Sequence, residues 1–97
     1  MGETFSLELL DEYKISYQLG WNRHFRKFDP SVQKIIYKKI HQLESPIVGR
    51  HLCHGLEHFV EDAGGYRIVY LSDEIARVRT IIFVGDHKQY EKWYRTR

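Results

Sequence analysis

Two side chains that could take part in a reaction lie close to glycines in the second half of the chain. Arg67 ends the segment Gly64-Gly65-Tyr66-Arg67, and His87 ends the segment Val84-Gly85-Asp86-His87. An imidazole suits acid–base chemistry, because its unperturbed pKa of about 6.5 is near neutral pH. A guanidinium suits phosphate, which it binds through two parallel hydrogen bonds. The alternatives are structural: His87 caps a helix or lies at the surface, and Arg67 lies in a sheet and pairs with an acidic residue such as Glu61.

The C-terminal segment adds Tyr90 and Trp93 to the catalytic candidates, and it adds Tyr94 and two lysines to the candidates for RNA binding. Tyr90, Trp93 and Tyr94 can stack on unpaired bases, as aromatic residues do in proteins that bind single-stranded RNA. The alternative is that they form the apolar side of an amphipathic helix packed on a sheet. Lys88 and Lys92 contact phosphates under the first interpretation and are solvated under the second.

Further candidates lie on either side of Arg67 in the sequence. His58 and Glu61 are candidate catalytic groups, because an imidazole and a carboxylate can both exchange protons. Three more side chains are predicted to bind RNA, two of them by positive charge: Arg50, His51 and Arg79.

A metal site is an alternative role for three of the histidines. His51, His54 and His58 are spaced by three and four residues, which suits one face of a helix around a cation. Gly49 and Gly55 interrupt such a helix, and no acidic second shell is evident nearby in the sequence. The sequence therefore favours histidines that line a groove, and we predict no metal ion and no other cofactor.

Charge is unevenly distributed along the chain, although the net charge is only +2. Residues 1–12 and 57–76 each sum to −4, whereas residues 13–56 sum to +6 and residues 77–97 sum to +4. A basic patch able to attract phosphate forms if the two basic blocks share a face. The alternative is that these charges belong to separate solvated helix faces.

Length and composition predict one soluble domain. The 97 residues suffice for a single core, and 42% hydrophobic with 29% charged residues is typical of a globular protein. Because no apolar run approaches the roughly 20 residues that span a bilayer, we expect a cytoplasmic protein without membrane contact. The single cysteine, Cys53, excludes an internal disulfide. Residues 1–12 are predicted to be a loosely ordered acidic arm.

Hydrophobic periodicity predicts a β-α-α-β-β-β-α order of elements. Aromatic residues at helical spacing predict a short helix over residues 21–28, and Asp29-Pro30 predicts the start of a second helix that ends near Leu43. A turn at residues 62–65 predicts a hairpin. The predicted strands cover residues 13–19, 56–61, 66–71 and 75–84, and the predicted last helix covers residues 88–95. This order predicts an α+β fold in which a mainly antiparallel, twisted sheet packs against an N-terminal helical hairpin.

Two motifs within this order resemble the RelE/ParE superfamily of toxin–antitoxin toxins. The first reads Gly64-Gly65-Tyr66-Arg67-Ile68-Val69-Tyr70. The second reads Val84-Gly85-Asp86-His87-Lys88-Gln89-Tyr90-Glu91-Lys92-Trp93. The resemblance covers roughly residues 13–95, nearly the whole chain, by the order of elements.

The resemblance implies a toxin held in check by a cognate antitoxin. RelE-like members cut mRNA on the ribosome, so it implies a metal-independent, ribosome-dependent mRNA endonuclease in which the ribose 2′-hydroxyl attacks the neighbouring phosphate. Arg67 and His87 match the positions of the family's hairpin arginine and of its later arginine or histidine. We expect ribosome and mRNA as partners, and no DNA except through an antitoxin.

The family also includes members that cut nothing. The alternative is therefore a ParE-like or catalytically inactive protein that acts by binding gyrase or an antitoxin. His58 and Glu61 stand where RelE-like proteins commonly have lysine or arginine. This departure removes fixed positive charge from the predicted site, whereas the fold is common to both functions.

Overall fold

The structure is a computed structural model that describes residues 12–45, 51–52 and 58–96, and for residues 51–52 it describes the backbone alone. Most of the predicted acidic arm, together with Arg50, Cys53 and His54, lies outside the described residues. In chain order the helices and strands are β1 (Lys14–Tyr17), α1 (Pro30–Gln42), β2 (His51–Leu52), β3 (Phe59–Ala63), β4 (Tyr66–Asp73), β5 (Val78–Asp86) and α2 (His87–Arg95).

The strands of the described residues form one sheet in the order β1-β5-β4-β3-β2. The pairs β2–β3, β3–β4 and β4–β5 are antiparallel, and β1 pairs with β5 in parallel. The prediction of a mainly antiparallel sheet is therefore confirmed. Strand β2 was not predicted, because its two residues are too few to show a period in the sequence.

The predicted N-terminal helical hairpin is wrong. In place of a helix over residues 21–28, the chain forms a 3-10 turn of three residues, Phe25–Lys27. Gly20 has a positive φ of 90°, and Asp29 is extended with ψ 151°, as the residue before a proline prefers to be. A helix in this segment could not extend beyond the eight residues between these two positions, because neither position has a helical backbone.

Helix α1 begins where Asp29-Pro30 predicts and packs on one face of the sheet. Pro30 supplies the first helical residue, and Asp29 occupies the N-cap position without a side-chain hydrogen bond to the helix. Ile36, Ile40 and Leu43 are buried, as the predicted apolar stripe requires. They pack with Ile68, Tyr70, Ile81 and Val84 of the sheet.

Strand β5 lies two to three residues later than predicted. Residues 74–77 form a turn in which the Asp73 carboxylate accepts hydrogen bonds from the backbone N–H groups of Ile75, at 3.0 Å, and Ala76, at 2.9 Å. Arg77 completes this turn with a positive φ of 59°. The strand then continues through Gly85, which was predicted to end it, to Asp86.

Helix α2 covers the opposite face of the sheet. Its Tyr90 packs in a second core cluster with Val60, Val69, Ile82 and Phe83. A bulge between Val69 and Tyr70 breaks the register of β4 and β5. The clusters under α1 and α2 together cover both faces of the sheet with apolar side chains. Among the described residues, no helix has the length and apolar character needed to cross a bilayer.

A reciprocal cap starts α2 directly at the end of β5. The backbone N–H of Gln89 donates to the Asp86 carboxylate at 2.8 Å, and the Asp86 N–H donates to the Gln89 side-chain oxygen at 2.8 Å. Because the last residue of β5, Asp86, is also the N-cap of α2, no loop separates the strand from the helix. The side chain of His87, the first helical residue, is therefore held at the end of the sheet.

Replacing Gly85 with alanine is expected to destabilise the protein by about 1–3 kcal/mol. An added Cβ would lie 2.7 Å from the ring of Phe83 and 3.0 Å from the side chain of Gln89, inside the cap that starts α2. The urea midpoint of unfolding measures the change. An unaltered midpoint would show that the ring and the cap move aside without cost.

Candidate functional site

The β3–β4 turn and the pairing of β4 with β5 bring Arg67 close to His87. Gly64 and Gly65 have φ values of 59° and 92°, which a two-residue hairpin turn requires and glycine adopts at little cost. Arg67 then pairs with Gly85, two residues before His87. Residues that are 20 positions apart in sequence therefore meet at one end of the sheet.

A direct contact joins the two side chains. The Nη2 atom of Arg67 lies 3.2 Å from Nδ1 of His87. Because a guanidinium only donates hydrogen bonds, Nδ1 accepts, and the ring proton of a neutral imidazole resides on Nε2. A cation that can bind phosphate and a ring nitrogen that can accept a proton are thus adjacent.

Acidic side chains flank this pair on both sides. Asp62, directly opposite Arg67 on β3, places its carboxylate 3.3 Å from the Arg67 Nε. Glu91 lies 3.8 Å from Nε2 of His87 and 3.3 Å from a guanidinium nitrogen of Arg95. The side chains of Asp62 and His87 are 69% and 62% exposed, so water screens these pairs and each is weak. A phosphate group can compete for Arg67.

The aromatic side chains of α2 pack against the sheet. Tyr90 is buried, and the Arg67 guanidinium lies 5.3 Å from the centre of its ring. Trp93 stacks on Phe83 with 4.9 Å between ring centroids, and Tyr94 stacks on Tyr90 at 6.1 Å. The structure therefore favours the packing role for Tyr90, while the half-buried Trp93 and Tyr94 each keep an accessible part.

His58 and Glu61 lie on opposite faces of the sheet. His58 is buried edge-on against Trp93, with 5.6 Å between ring centroids, on the face that α2 covers. Glu61 is buried on the other face, 3.7 Å from Nζ of Lys39 in α1. The sheet thus separates Glu61 from Arg67 and His87, so Glu61 is not the partner of Arg67. Arg67 does pair with an acidic residue, as the structural alternative predicts, and that residue is Asp62.

Solved structures resemble this arrangement of sheet and helices. The chain superposes on RelE in the RelBE2 toxin–antitoxin complex of Mycobacterium tuberculosis with a TM-score of 0.67 and 20% identity, over 78% of this chain and 92% of that one. For a mutant of Escherichia coli RelE in the free state the TM-score is 0.66 at 25% identity, over 86% and 92%. The chain has a RelE-like toxin fold.

A third solved structure supports the same fold. RelE in the intact Escherichia coli RelBE toxin–antitoxin complex matches with a TM-score of 0.63 and 26% identity, over 76% of this chain and 95% of that one. No protein-family model matches the sequence, and no curated protein matches it either. The RelE-like fold is therefore visible in the tertiary structure of this chain at sequence identities of 20% to 26%.

Within the RelE-like fold, Arg79 is a structural residue rather than an exposed RNA contact. It is 4% exposed. Its Nη1 donates to the carbonyls of Leu43 at 2.8 Å and Ser45 at 2.7 Å, directly after α1. The guanidinium lies over the ring of Tyr13 at 3.7 Å from its centre. Arg79 thereby ties the end of α1 to the sheet, and its predicted RNA-binding role is not supported.

The remaining predicted residues are divided between the surface and the parts of the chain without described side chains. Lys88 and Lys92 are exposed on α2 of the RelE-like fold, so both can meet a ligand. The backbone of His51 lies in β2, and Arg50 lies outside the described residues. Within residues 12–45 and 58–96, no group of three or more histidine, cysteine or acidic side chains is placed to hold a metal ion.

Asp62 and Glu91 were missed as site residues. Asp62 could have been found from the hairpin, because a two-residue turn at Gly64-Gly65 places it opposite Arg67. Glu91 could also have been found, since it is four residues after His87 on a helix.

Proposed function

We propose that this chain is the toxin of a toxin–antitoxin system and a metal-independent, ribosome-dependent mRNA endonuclease. The observation that carries the proposal is the 3.2 Å contact between Arg67 and His87 at an exposed end of a RelE-like fold. A phosphate-binding cation and a proton acceptor are the two groups that attack by a ribose 2′-hydroxyl on its own phosphate requires.

In the proposed reaction the scissile phosphate displaces Asp62 from Arg67. The guanidinium then neutralises the charge that develops on the phosphate oxygens, and Nδ1 of His87 is released to accept a proton. The 2′-hydroxyl loses its proton to Nδ1 while its oxygen bonds to phosphorus. The bond to the 5′-oxygen breaks, and that oxygen takes a proton from the imidazolium so formed or from water. A 2′,3′-cyclic phosphate and a 5′-hydroxyl result.

The proposed partners are the ribosome with its mRNA and a cognate antitoxin. RelE of Mycobacterium tuberculosis and of Escherichia coli is solved in complexes named as toxin–antitoxin assemblies, which supports an antitoxin for this chain as well. We propose a cytoplasmic location, because ribosomes and mRNA are found there. DNA is expected to be contacted only through the antitoxin.

A second candidate is a ParE-like or catalytically inactive protein that acts by contact alone. One observation favours it: three of the six predicted catalytic side chains, His58, Glu61 and Tyr90, are buried. Buried side chains do not reach a substrate phosphate unless the helix above them moves. If this candidate is correct, Arg67 and His87 serve a binding surface rather than a reaction.

Purified ribosomes programmed with a defined mRNA distinguish the two candidates. We expect the wild-type protein to cut the mRNA in the ribosome, and primer extension to locate the cut. Arg67→Ala is expected to lower the rate by about 100- to 1,000-fold, as the loss of one charge-stabilising donor does. Intact mRNA with the wild-type protein bound to ribosomes would sink the endonuclease proposal, and inhibition of gyrase supercoiling would then support a ParE-like role.

Replacing Asp62 with asparagine is expected to tighten RNA binding by up to about fivefold at low salt. The carboxylate competes with phosphate for Arg67, and an exposed ion pair of this kind is worth about 0.2–1 kcal/mol. Fluorescence anisotropy with a 2′-O-methylated single strand, which cannot be cut, measures the affinity. Glu44→Gln is the matched control, since it removes one charge on the α1 face. Equal affinity of both variants would rule out competition by Asp62.

A further inference from the structure

The segment between β1 and α1 continues along β5 where β1 ends. Strand β1 pairs with β5 only as far as Ile81, and the Gln18 N–H donates to the Ile81 carbonyl at 2.9 Å. Beyond that point the segment brings His24 edge-on against Phe83, with 5.7 Å between ring centroids. The side chain of His24 thus reaches the face that α2 covers.

Packing holds this segment in place. The Gln33 side chain in α1 donates a hydrogen bond to the carbonyl of Phe25 at 2.9 Å. Phe25 is buried in the core beneath α1, and Trp21 packs against it with 5.0 Å between ring centroids. His24, next to the buried Phe25, is consequently positioned by the fold.

Three cations lie near His24. Arg23 and Lys27 are its neighbours in sequence, and Lys92 precedes Trp93, whose ring stacks on the same Phe83 ring that His24 contacts. Burial lowers the pKa of His24 below its usual 6.5, and the charges of Arg23, Lys27 and Lys92 lower it further. Asp86 is the acid that opposes this effect, and its carboxylate already accepts the hydrogen bond that caps α2. Within residues 12–45 and 58–96, none of the three cations forms an ion pair with a carboxylate. An excess of positive charge therefore lies near an imidazole that takes up a proton less readily than a free histidine does.

These residues join the two basic blocks of the sequence. Arg23 and Lys27 belong to residues 13–56, and Lys92 belongs to residues 77–97. Lys92 and His87 are five residues apart on α2, which places their side chains roughly 140° apart around the helix. His87, with Arg67 beside it, therefore lies on one flank of α2 and Lys92 on another.

We propose that Arg23, His24, Lys27 and Lys92 form a second phosphate-binding subsite for the RNA strand on which the Arg67–His87 site acts. The inference rests on the proposed function, because it assumes that RNA is the ligand. A strand that crosses α2 contacts both flanks, because its phosphates can reach Arg67 on one side and the cations near His24 on the other. Single-stranded RNA is chosen because its flexible backbone can follow such a path.

Proton uptake distinguishes this subsite from a simple basic patch. A phosphate beside His24 stabilises the imidazolium, so binding raises the pKa that the surrounding cations and burial lower in the free protein. Between the two pKa values, complex formation takes up a proton. The affinity for RNA is therefore expected to rise as pH falls from about 7.5 to 5.5, by at most about tenfold per pH unit.

Binding of a 2′-O-methylated single-stranded RNA, followed by anisotropy across pH and salt, tests the subsite. The experiment uses the His87→Gln protein, so that His87 does not contribute to the pH dependence. We expect tighter binding at low pH, and we expect His24→Gln to abolish this change while preserving the salt dependence. Lys27→Gln and Lys92→Gln are each expected to reduce the slope of log affinity against log salt by about 0.7, as one lost phosphate contact does.

Lys38→Gln, on the α1 face, is the matched control and is expected to leave the slope unchanged. The proposal is overturned if RNA binding does not depend on pH. It is also overturned if the Lys27 and Lys92 variants have the same salt slope as the Lys38 variant. Cleavage of mRNA on ribosomes is measured separately. If the protein cleaves mRNA but its RNA binding shows none of these dependences on pH or on Lys27 and Lys92, only this inference is wrong. If RNA binding shows them but no mRNA is cleaved, only the proposed endonuclease activity is wrong.

Discussion

Replacing His87 with glutamine is expected to lower the rate of ribosome-dependent mRNA cleavage by about 10²- to 10⁴-fold, the usual contribution of a general acid–base group. Glutamine is similar in length and can accept the hydrogen bond that Arg67 donates to Nδ1. It cannot exchange a proton at neutral pH. The variant therefore removes the proposed chemistry while it retains a partner for Arg67, and single-turnover cleavage on programmed ribosomes measures the loss.

His41→Gln is the matched control for this experiment. His41 lies exposed on α1 and pairs with Glu44 at 3.4 Å, so the same substitution is made on the other side of the molecule. We expect the control to cleave mRNA at the wild-type rate. A His87 variant that cleaves as fast as the control would exclude proton transfer by His87, and the site would then act by charge and positioning alone.

Replacing Arg79 with alanine is expected to destabilise the fold by about 3 kcal/mol. The substitution removes two charged hydrogen bonds to the carbonyls of Leu43 and Ser45 and the contact with the ring of Tyr13. The carbonyl of Leu43, a fully buried residue, loses this donor. The loss is a large part of the roughly 5–15 kcal/mol that stabilises a typical domain.

Urea unfolding and the melting temperature measure this effect, and a decrease of roughly 10 °C or more is expected. Arg79→Lys keeps the charge but loses the planar fork of donors, so it should fall between wild type and alanine. Arg26→Ala, an exposed arginine, is the control and should shift stability by less than about 0.5 kcal/mol. Wild-type stability of the alanine variant, together with weakened RNA binding, would restore Arg79 as an RNA contact.

Local sequence determined several elements on which the site depends. Asp29-Pro30 ends one segment and starts α1, because the residue before a proline avoids the helical conformation. Gly64-Gly65 allows the tight turn that aligns β3 with β4. The alternation and turns of residues 59–86 likewise predicted a central hairpin. These signals act within a few residues, so they can be recognised without knowledge of the rest of the chain.

Local signals gave wrong predictions where packing against residues distant in sequence decides the conformation or the burial of a side chain. Aromatic residues at helical spacing predicted a helix over residues 21–28, but the segment instead follows the edge of β5 and buries Phe25. Tyr90 was predicted to be catalytic, but it is buried in the core between α2 and the sheet. The positive charge of Arg79 is typical of an RNA contact, yet Arg79 is buried and binds backbone carbonyls directly after α1. Burial depends on which surfaces meet, and this is not a local property.

The sequence by itself determined the two motifs that contain Arg67 and His87, because turn and cap preferences are set by neighbouring residues. Only the tertiary structure decided that their side chains touch, that Glu61 faces away from them, and that Asp62 restrains Arg67. Pairing across a sheet converts distant positions into neighbours, and a single step along a strand moves a side chain to the opposite face.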